Sequence, residues 1–358
     1  MIGKIKTFNF NSLFLLISFG LLLNSYLFNN YLLISFFLIF FCIAFLSTKY
    51  GIKFIKKLNF VQNIRDQGPA AHLRKKNTPT MGGVYIVLPF LFLILIININ
   101  YYSPQLVILF WGIVCFFLIG FLDDYLSIKN KQNQGLKSNE KFLLQSIISI
   151  LFIILTTQIE YINPTIMITS NWEINTKIII YSIYFLTLVG LSNAVNLTDG
   201  LDGLASGCST IVFFGLGTEI LIKGQKELII YSLLCYAMSG LCMGFLKLNK
   251  YPAKIFMGDT GSLTIGAILG SITILTNSFF TTFIISGIFI LEALSVIIQV
   301  SFFKITKRIF KKGKRIFLMT PIHHHFELKG IEETKLVENF WKVNILLVIL
   351  GIVLQITF

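Results

Sequence analysis

Charge is scarce in this chain: only 13% of its 358 residues are Asp, Glu, Lys or Arg, and the basic ones outnumber the acidic ones 30 to 16. Soluble globular chains carry about 25% charged residues. With 55% hydrophobic residues and a mean hydropathy of +0.79, the composition excludes that class and indicates a polytopic membrane protein. The five cysteines (Cys42, Cys115, Cys208, Cys235, Cys242) contain no Cys-x-x-Cys pair, so they read as small core residues, neither disulfides nor metal ligands. A P-loop is missing, because Thr78-Pro-Thr-Met-Gly-Gly83 lacks the Gly-Lys-Ser/Thr ending. No soluble domain remains to bind nucleic acid, and no clear internal repeat is visible. The apolar stretch Asn11 to Leu33 has no small-residue cleavage site, so it is expected to stay in the mature chain as an amphipathic lead-in or a half-span.

What is present is a series of apolar runs, each long enough for a helix rising 1.5 Å per residue to cross ~30 Å of hydrocarbon. Ten spans are expected near residues 22–47, 82–99, 105–121, 142–159, 177–193, 204–222, 227–246, 263–279, 281–303 and 340–357, in one all-α integral-membrane domain over 1–358. A barrel gives no such runs. Lys and Arg concentrate in four loops, with 8 between Lys49 and Lys76, 4 between Lys129 and Lys141, 3 between Lys247 and Lys254 and 9 between Lys304 and Lys335. The positive-inside rule makes these loops cytoplasmic and both termini periplasmic. The seven cations from Lys304 to Arg315 suit an anionic lipid surface or a phosphorylated substrate, though basic loops are also ordinary in membrane proteins.

Four polar clusters then emerge on the cytoplasmic face. Asp123-Asp124 ends an apolar run, and adjacent helical residues point about 100° apart, so the pair suits metal–phosphate work better than a shared-proton dyad; a solvated helix end is the plain alternative. Asn196, Asp199 and Asp202 recur every three residues, which would gather them on one side of a tightened turn beside Gly200 and Gly203, able to bind a base, sugar hydroxyls or hydrated Mg²⁺. Asp259 lies between Gly258 and Gly261, with Thr260 and Ser262 as candidate N-caps of the next span, whose positive end favours an anionic ligand. His323, His324 and His325 are consecutive and cannot all face one ion, which disfavours zinc; imidazoles here would contact phosphate oxygens or move protons. Lys75 could reach a diphosphate, and Glu292 and Gln299, seven apart, share a helix face that lines a groove or a helix contact.

Asn193 to Ala205, Phe256 to Leu263, Thr78 to Gly83, Asp123-Asp124-Tyr125 and the string Pro321 to Gly330 resemble, in order and over nearly the whole chain, the phospho-N-acetylmuramoyl-pentapeptide-transferase family. The related polyprenyl-phosphate hexosamine transferases share the aspartate motifs but not this histidine loop. The resemblance implies a ten-helix enzyme of the bacterial inner membrane that moves phospho-N-acetylmuramoyl-pentapeptide from UDP-MurNAc-pentapeptide to undecaprenyl phosphate. The products are lipid I and UMP, the first membrane step of peptidoglycan synthesis, with Mg²⁺ as cofactor, membrane lipids around it and a homodimer left open. It implies Asp123, Asp124, Asp259 and His323 as catalytic residues. Asp259 would ligate Mg²⁺, Asp123 and Asp124 would serve the lipid phosphate and metal region, and His323 and His324 would assist the diphosphate. Lys75, Thr80, Asn196, Asp199, Asp202, Asn249, Phe256 and Gln299 would bind the nucleotide side, with Phe256 under the uracil. One departure stands out: Ser127 occupies a position where the family usually has lysine, and Lys129 or Lys131 is the nearest substitute.

A single in-line displacement fits best, since phosphoryl transfer depends on positioning and charge neutralisation and a phosphate monoester with a second pKa near ~6 is already dianionic. Asp123 as proton acceptor and a covalent phospho-aspartate are the competing details. Two other functions share the sequence features. A sister transferase using UDP-N-acetylglucosamine would have the same site, and a secondary transporter would instead put its charges near mid-bilayer.

Overall fold

A computed structural model describes residues 8–58, 60–61, 78–130, 135–158, 166–169, 172–174 and 176–357. In a bilayer an apolar run has no hydrogen-bond partner but itself, so each folds as a helix. The helices are α1 (Phe10–Leu27), α2 (Leu32–Lys57), α3 (Val84–Asn100), α4 (Pro104–Lys129), α5 (Ser138–Thr157), α6 (Lys177–Thr198), α7 (Leu204–Ile222), α8 (Ile229–Asn249), α9 (Asp259–Thr276), α10 (Phe279–Ile285), α11 (Gly287–Phe310), α12 (Ile322–Leu328) and α13 (Glu333–Thr357). Between α5 and α6 two short antiparallel strands, β1 (Ile166–Thr169) and β2 (Trp172–Ile174), pair Ile166 with Ile174 and Met167 with Glu173. The all-α expectation holds for every apolar element of membrane-crossing length.

Among the described residues ten helices are long and apolar enough to cross a membrane, but they are not quite the ten expected. The first expected span, 22–47, is two helices. The apolar run hides a break at Phe28–Tyr31, where Asn29 takes φ +51°, so α1 is a separate helix and no lead-in. At 17 residues α3 is the shorter apolar helix. The added helix reverses the start of the chain. Phe10 lies under the ammonium groups of Lys247 and Lys250, at 4.8 and 4.7 Å, at the end of the bundle where α8 finishes. At the other end Thr281 bonds Gln355 near the close of α13. Relative to the carboxylate clusters, then, α13 ends on the far side, while α1 begins on the near side.

The core is the trio α7, α8 and α9, buried over 89, 83 and 89% of their spans against 28% for α2, α5, α11 and α13. With no hydrophobic drive between helices inside lipid, small residues that allow close backbone approach decide packing. Gly240 and Gly244 of α8 bring its backbone onto the carbonyls of Phe37 and Phe41 in α2. Gly266 and Gly270 of α9 do the same against Leu191–Ser192 and Thr187–Leu188 in α6. Gly120 seats α4 against the main chain of Asp259. Buried polar groups lock the far end: Asn24 donates to Thr218 Oγ1 and Tyr236 OH, each at 2.8 Å, and Lys223 bridges Glu219 (3.0 Å) to the carbonyls that end α9.

Candidate active site

Two helices bring the first three carboxylates together. Asp123 and Asp124 lie in the closing turns of α4, both buried, and Asp259 opens α9. The sequence offers Thr260 or Ser262 as the cap of α9; the cap comes from α4 instead. Asp124 Oδ1 accepts from Asp259 N (3.1 Å), and its Oδ2 accepts from Thr260 N (2.9 Å) and Thr260 Oγ1 (2.5 Å). A carboxylate at a helix N-terminus satisfies orphan amides and meets the positive end of the dipole. Gly258 is required there, because its φ is +73° and a Cβ would fall 2.5 Å from Asp124 Oδ2.

Asp123 turns the other way, as adjacent residues on a helix must. Its Oδ1 accepts from Leu136 N (3.0 Å) and pairs with Lys141 Nζ (3.1 Å). The same ammonium is paired with Asp259 Oδ2. Lys141 stands in the first turn of α5; of the two lysines expected to stand in for a charge at Ser127, Lys129 is exposed and Lys131 lies outside the described residues. In the sequence Lys141 is only one of the loop cations. The signal for it is the four-residue step to Gln145, itself bonded to Asn193 at 2.7 Å on α6, which turns that face of α5 inward.

From α6, Asn196 Nδ2 donates to Asp259 Oδ1 (2.8 Å) and Ser262 Oγ (2.9 Å). Asp199 follows as the residue that ends α6, accepting from the Gly258 amide. Burial, then the charges of Asp259, Asp124 and Asp202, push its carboxyl well above the usual range. The three-residue rhythm does not continue to Asp202, since α6 stops at Thr198. Asp202 faces away, its Oδ2 accepting from Ala253 N (2.9 Å) and its own amide donating to Glu333 (2.8 Å).

The remaining expected nucleotide residues divide. Thr80 and Phe256 sit on two extended segments laced together, Phe256 N to Pro79 O (2.8 Å) and Gly82 N to Phe256 O (2.9 Å), with Thr80 buried and Phe256 half-buried. Asn249 is buried with both ends of its amide used, by Ser206 Oγ (2.7 Å) and Ile255 O (3.0 Å). Gln299 holds the returning chain, accepting from Ile316 N and Phe317 N and donating to Phe317 O. Lys75 lies outside the described residues.

The histidines diverge, as three consecutive ones should. His323 is fully buried, its Nδ1 3.1 Å from Glu292 Oε2 and its Nε2 pressed against Gly200; His324 Nδ1 is 2.8 Å from Glu327 Oε2; His325 Nδ1 accepts from Leu318 N at 3.1 Å. Glu292 is thus a helix contact with a partner, not part of a groove wall.

Among the described residues no three His, Cys, Asp or Glu side chains close around a metal ion. The donor set still fits Mg²⁺ of the open kind, held by one or two carboxylates and completed by substrate phosphates and water. The Lys141 ammonium between Asp123 and Asp259 marks where the carboxylates hold positive charge.

Residues 106–277 match the family described as Glycosyl transferase family 4, and residues 75–87 match the phospho-N-acetylmuramoyl-pentapeptide-transferase signature 1. A protein of Prochlorococcus marinus subsp. pastoris named phospho-N-acetylmuramoyl-pentapeptide-transferase is 70% identical over 356 residues, 99% of each chain. Proteins of the same name from Prochlorococcus marinus strains MIT 9515 and MIT 9313 are 69% identical (99% of this chain, 98% of theirs) and 40% identical (87% and 84%). At that likeness over the full chain, and with the signature segment laced against the segment that leads into Asp259, the chain belongs to the phospho-N-acetylmuramoyl-pentapeptide-transferase family.

Proposed function

We propose that the chain transfers phospho-N-acetylmuramoyl-pentapeptide from UDP-MurNAc-pentapeptide to undecaprenyl phosphate, yielding lipid I and UMP, at the cytoplasmic face of the bacterial inner membrane. The observation that carries the site assignment is the meeting of Asp123, Asp259, Asn196 and Lys141 at one end of a multi-pass apolar bundle. That is where a water-soluble phosphate donor and a membrane-anchored phosphate acceptor can meet, and it disfavours a mid-bilayer transport site.

Mg²⁺, bound by Asp259 with support from Asp123, would neutralise the diphosphate and its developing charge. The chain's own residues do the rest. Asp124 fixes the start of α9 and hence the direction of Asp259; Asn196 holds Asp259 Oδ1, leaving its Oδ2 to the cation side. Lys141 offsets the negative charge of two approaching phosphates, which lowers the barrier to a direct in-line attack. The acceptor needs no strong base, so Asp123 acts chiefly through charge. Lys75, Thr80, Asp199 and Phe256 hold the nucleotide, with the Phe256 ring under uracil; Asp202, Asn249 and Gln299 shape that pocket through the loops they bind. His324, partly exposed beside His323, supports the diphosphate. One chain carries every residue named, so a homodimer is not needed for the chemistry.

The test is UMP release by the purified protein given both substrates, with and without Mg²⁺. Metal-dependent release needing both substrates is expected. Release with UDP-N-acetylglucosamine but not with the MurNAc-pentapeptide donor would move the chain to the sister transferases.

A further inference from the structure

Glu292 and His323 are both fully buried, and each has an atom without a hydrogen-bond partner among the described residues, Glu292 Oε1 and His323 Nε2. Buried polar atoms are normally paired, so these two need a reason. Glu292 Oε2 accepts from the ring Nδ1 (3.1 Å) and lies 3.4 Å from the main-chain N of His323, pinning side chain and backbone at once. A carboxylate facing Nδ1 puts the neutral ring's proton there and leaves Nε2 a bare lone pair. That lone pair abuts Gly200, so closely that a methyl group on Gly200 would overlap the imidazole.

Gly200 is the centre of the turn that carries Asp199 and Asp202. Asp199 accepts from Gly258, next to Asp259; Asp202 is tied to Ala253 and, through its amide, to Glu333. The imidazole is therefore the floor of a turn whose edges reach the carboxylate cluster on one side and the nucleotide loops on the other. Around it stand Glu292 from α11, the His324 ring at 4.2 Å, and Asp199 and Asp202 flanking Gly200.

We propose that Glu292 and His323 form a buried positioning pair that seats the Asp199–Asp202 turn, so that His323 acts on the nucleotide-binding turn and does not touch the transferred phosphate. This rests on the transferase reading above. Glu292 sets the ring's tautomer and height; His323 sets the turn; the turn sets the donor. A misplacement on the order of 1 Å in such a support costs up to about a hundredfold in kcat/KM.

The test is a kinetic cycle on the full chain in detergent, reading UMP release. Gly200→Ala is expected to raise KM for the UDP donor tens of fold while keeping most of kcat, because its methyl pushes against the ring. His323→Asn, shorter by one ring edge, is expected to cost less and to leave the pH profile of kcat parallel to wild type. The double variant should recover most of the loss of Gly200→Ala, and Glu292→Gln should add nothing to His323→Asn. Loss of kcat with a missing titration limb in His323→Asn, or effects at 200 and 323 that simply multiply, would overturn the proposal. ¹⁵N spectra of wild-type protein with labelled histidine decide it even where a variant fails to fold. A proton fixed on Nδ1 is expected, and a proton on Nε2 overturns it. Wild-type protein that releases no UMP but keeps that tautomer would refute the transferase reading and leave the pair standing.

Discussion

Replacing Lys141 by methionine keeps the length of the side chain and removes the charge shared by Asp123 and Asp259. The ammonium is 3.1 Å from Asp123 Oδ1 and closer still to Asp259 Oδ2, and its side chain is only 18% exposed. Removing one partner from a buried ion pair costs about 3–5 kcal/mol, because the carboxylates left behind are neither hydrated nor neutralised. Partial exposure of Asp259, at 23%, and the bonds from Asn196 and Leu136 that remain favour the lower end, about 3 kcal/mol. The expected activity loss is about a thousandfold in kcat, the scale seen when one preorganised charge is taken from a phosphoryl-transfer site. Thermal unfolding in detergent with increasing Mg²⁺ provides the second assay. A divalent ion replaces the missing cation, so Lys141→Met should gain more stability from Mg²⁺ than wild type does. Lys141→Arg should keep most of the stability. Wild-type unfolding together with wild-type UMP release in Lys141→Met would refute the reasoning.

Asp124→Asn puts an amide NH₂ in place of one of the two oxygens that between them accept from three donors, so a loss of about 2 kcal/mol in stability is expected, with kcat falling through displacement of Asp259; thermal unfolding and UMP release check both. Gly258→Ala combines a positive φ with a collision on Asp124 and is expected to cost at least about 1–2 kcal/mol, read the same way. Burial and the neighbouring carboxylates raise Asp199, so it keeps its proton to higher pH than a free carboxyl. A bound cation favours the ionised form, so the Mg²⁺ concentration for half-maximal rate should fall as pH rises, and this slope should flatten in Asp199→Asn. Asn24→Leu leaves Thr218 and Tyr236 bonded to each other at 3.0 Å, so a loss of only about 1 kcal/mol is expected in thermal unfolding.

Much of this was readable from residue pattern alone, for physical reasons that also explain the misses. Length and apolarity identify a membrane helix because the bilayer leaves the backbone no other solution, and eight of the expected spans fall on single helices. The break at Phe28–Tyr31 was invisible because the apolar run continues across it, broken only by asparagines that helices also tolerate. Carboxylates beside glycines stood out as costly near a membrane, and Asp123, Asp124, Asn196 and Asp259 do meet. What spacing could not carry was the direction of each side chain once a helix ends: Asp202 turns away from the carboxylate cluster because α6 stops four residues before it. Nor could it carry partners on other helices, such as Asp124 for the α9 amides or Lys141 for Asp259, since those depend on close approach through Gly120 and Gly258.

The two carboxylates and the cation that neutralises them are mounted on different kinds of support. Asp124 and Gly120 bind α4 to the opening of α9, which is buried along nearly its whole length, whereas Lys141 reaches in from α5, a peripheral helix buried over little more than a quarter of its span. The anionic framework is therefore rigid while its counter-charge hangs on a long, flexible arm. Rotation about the bonds of the Lys141 side chain alone can shift that charge, with no helix obliged to move. The fold keeps its geometry fixed and its electrostatics adjustable.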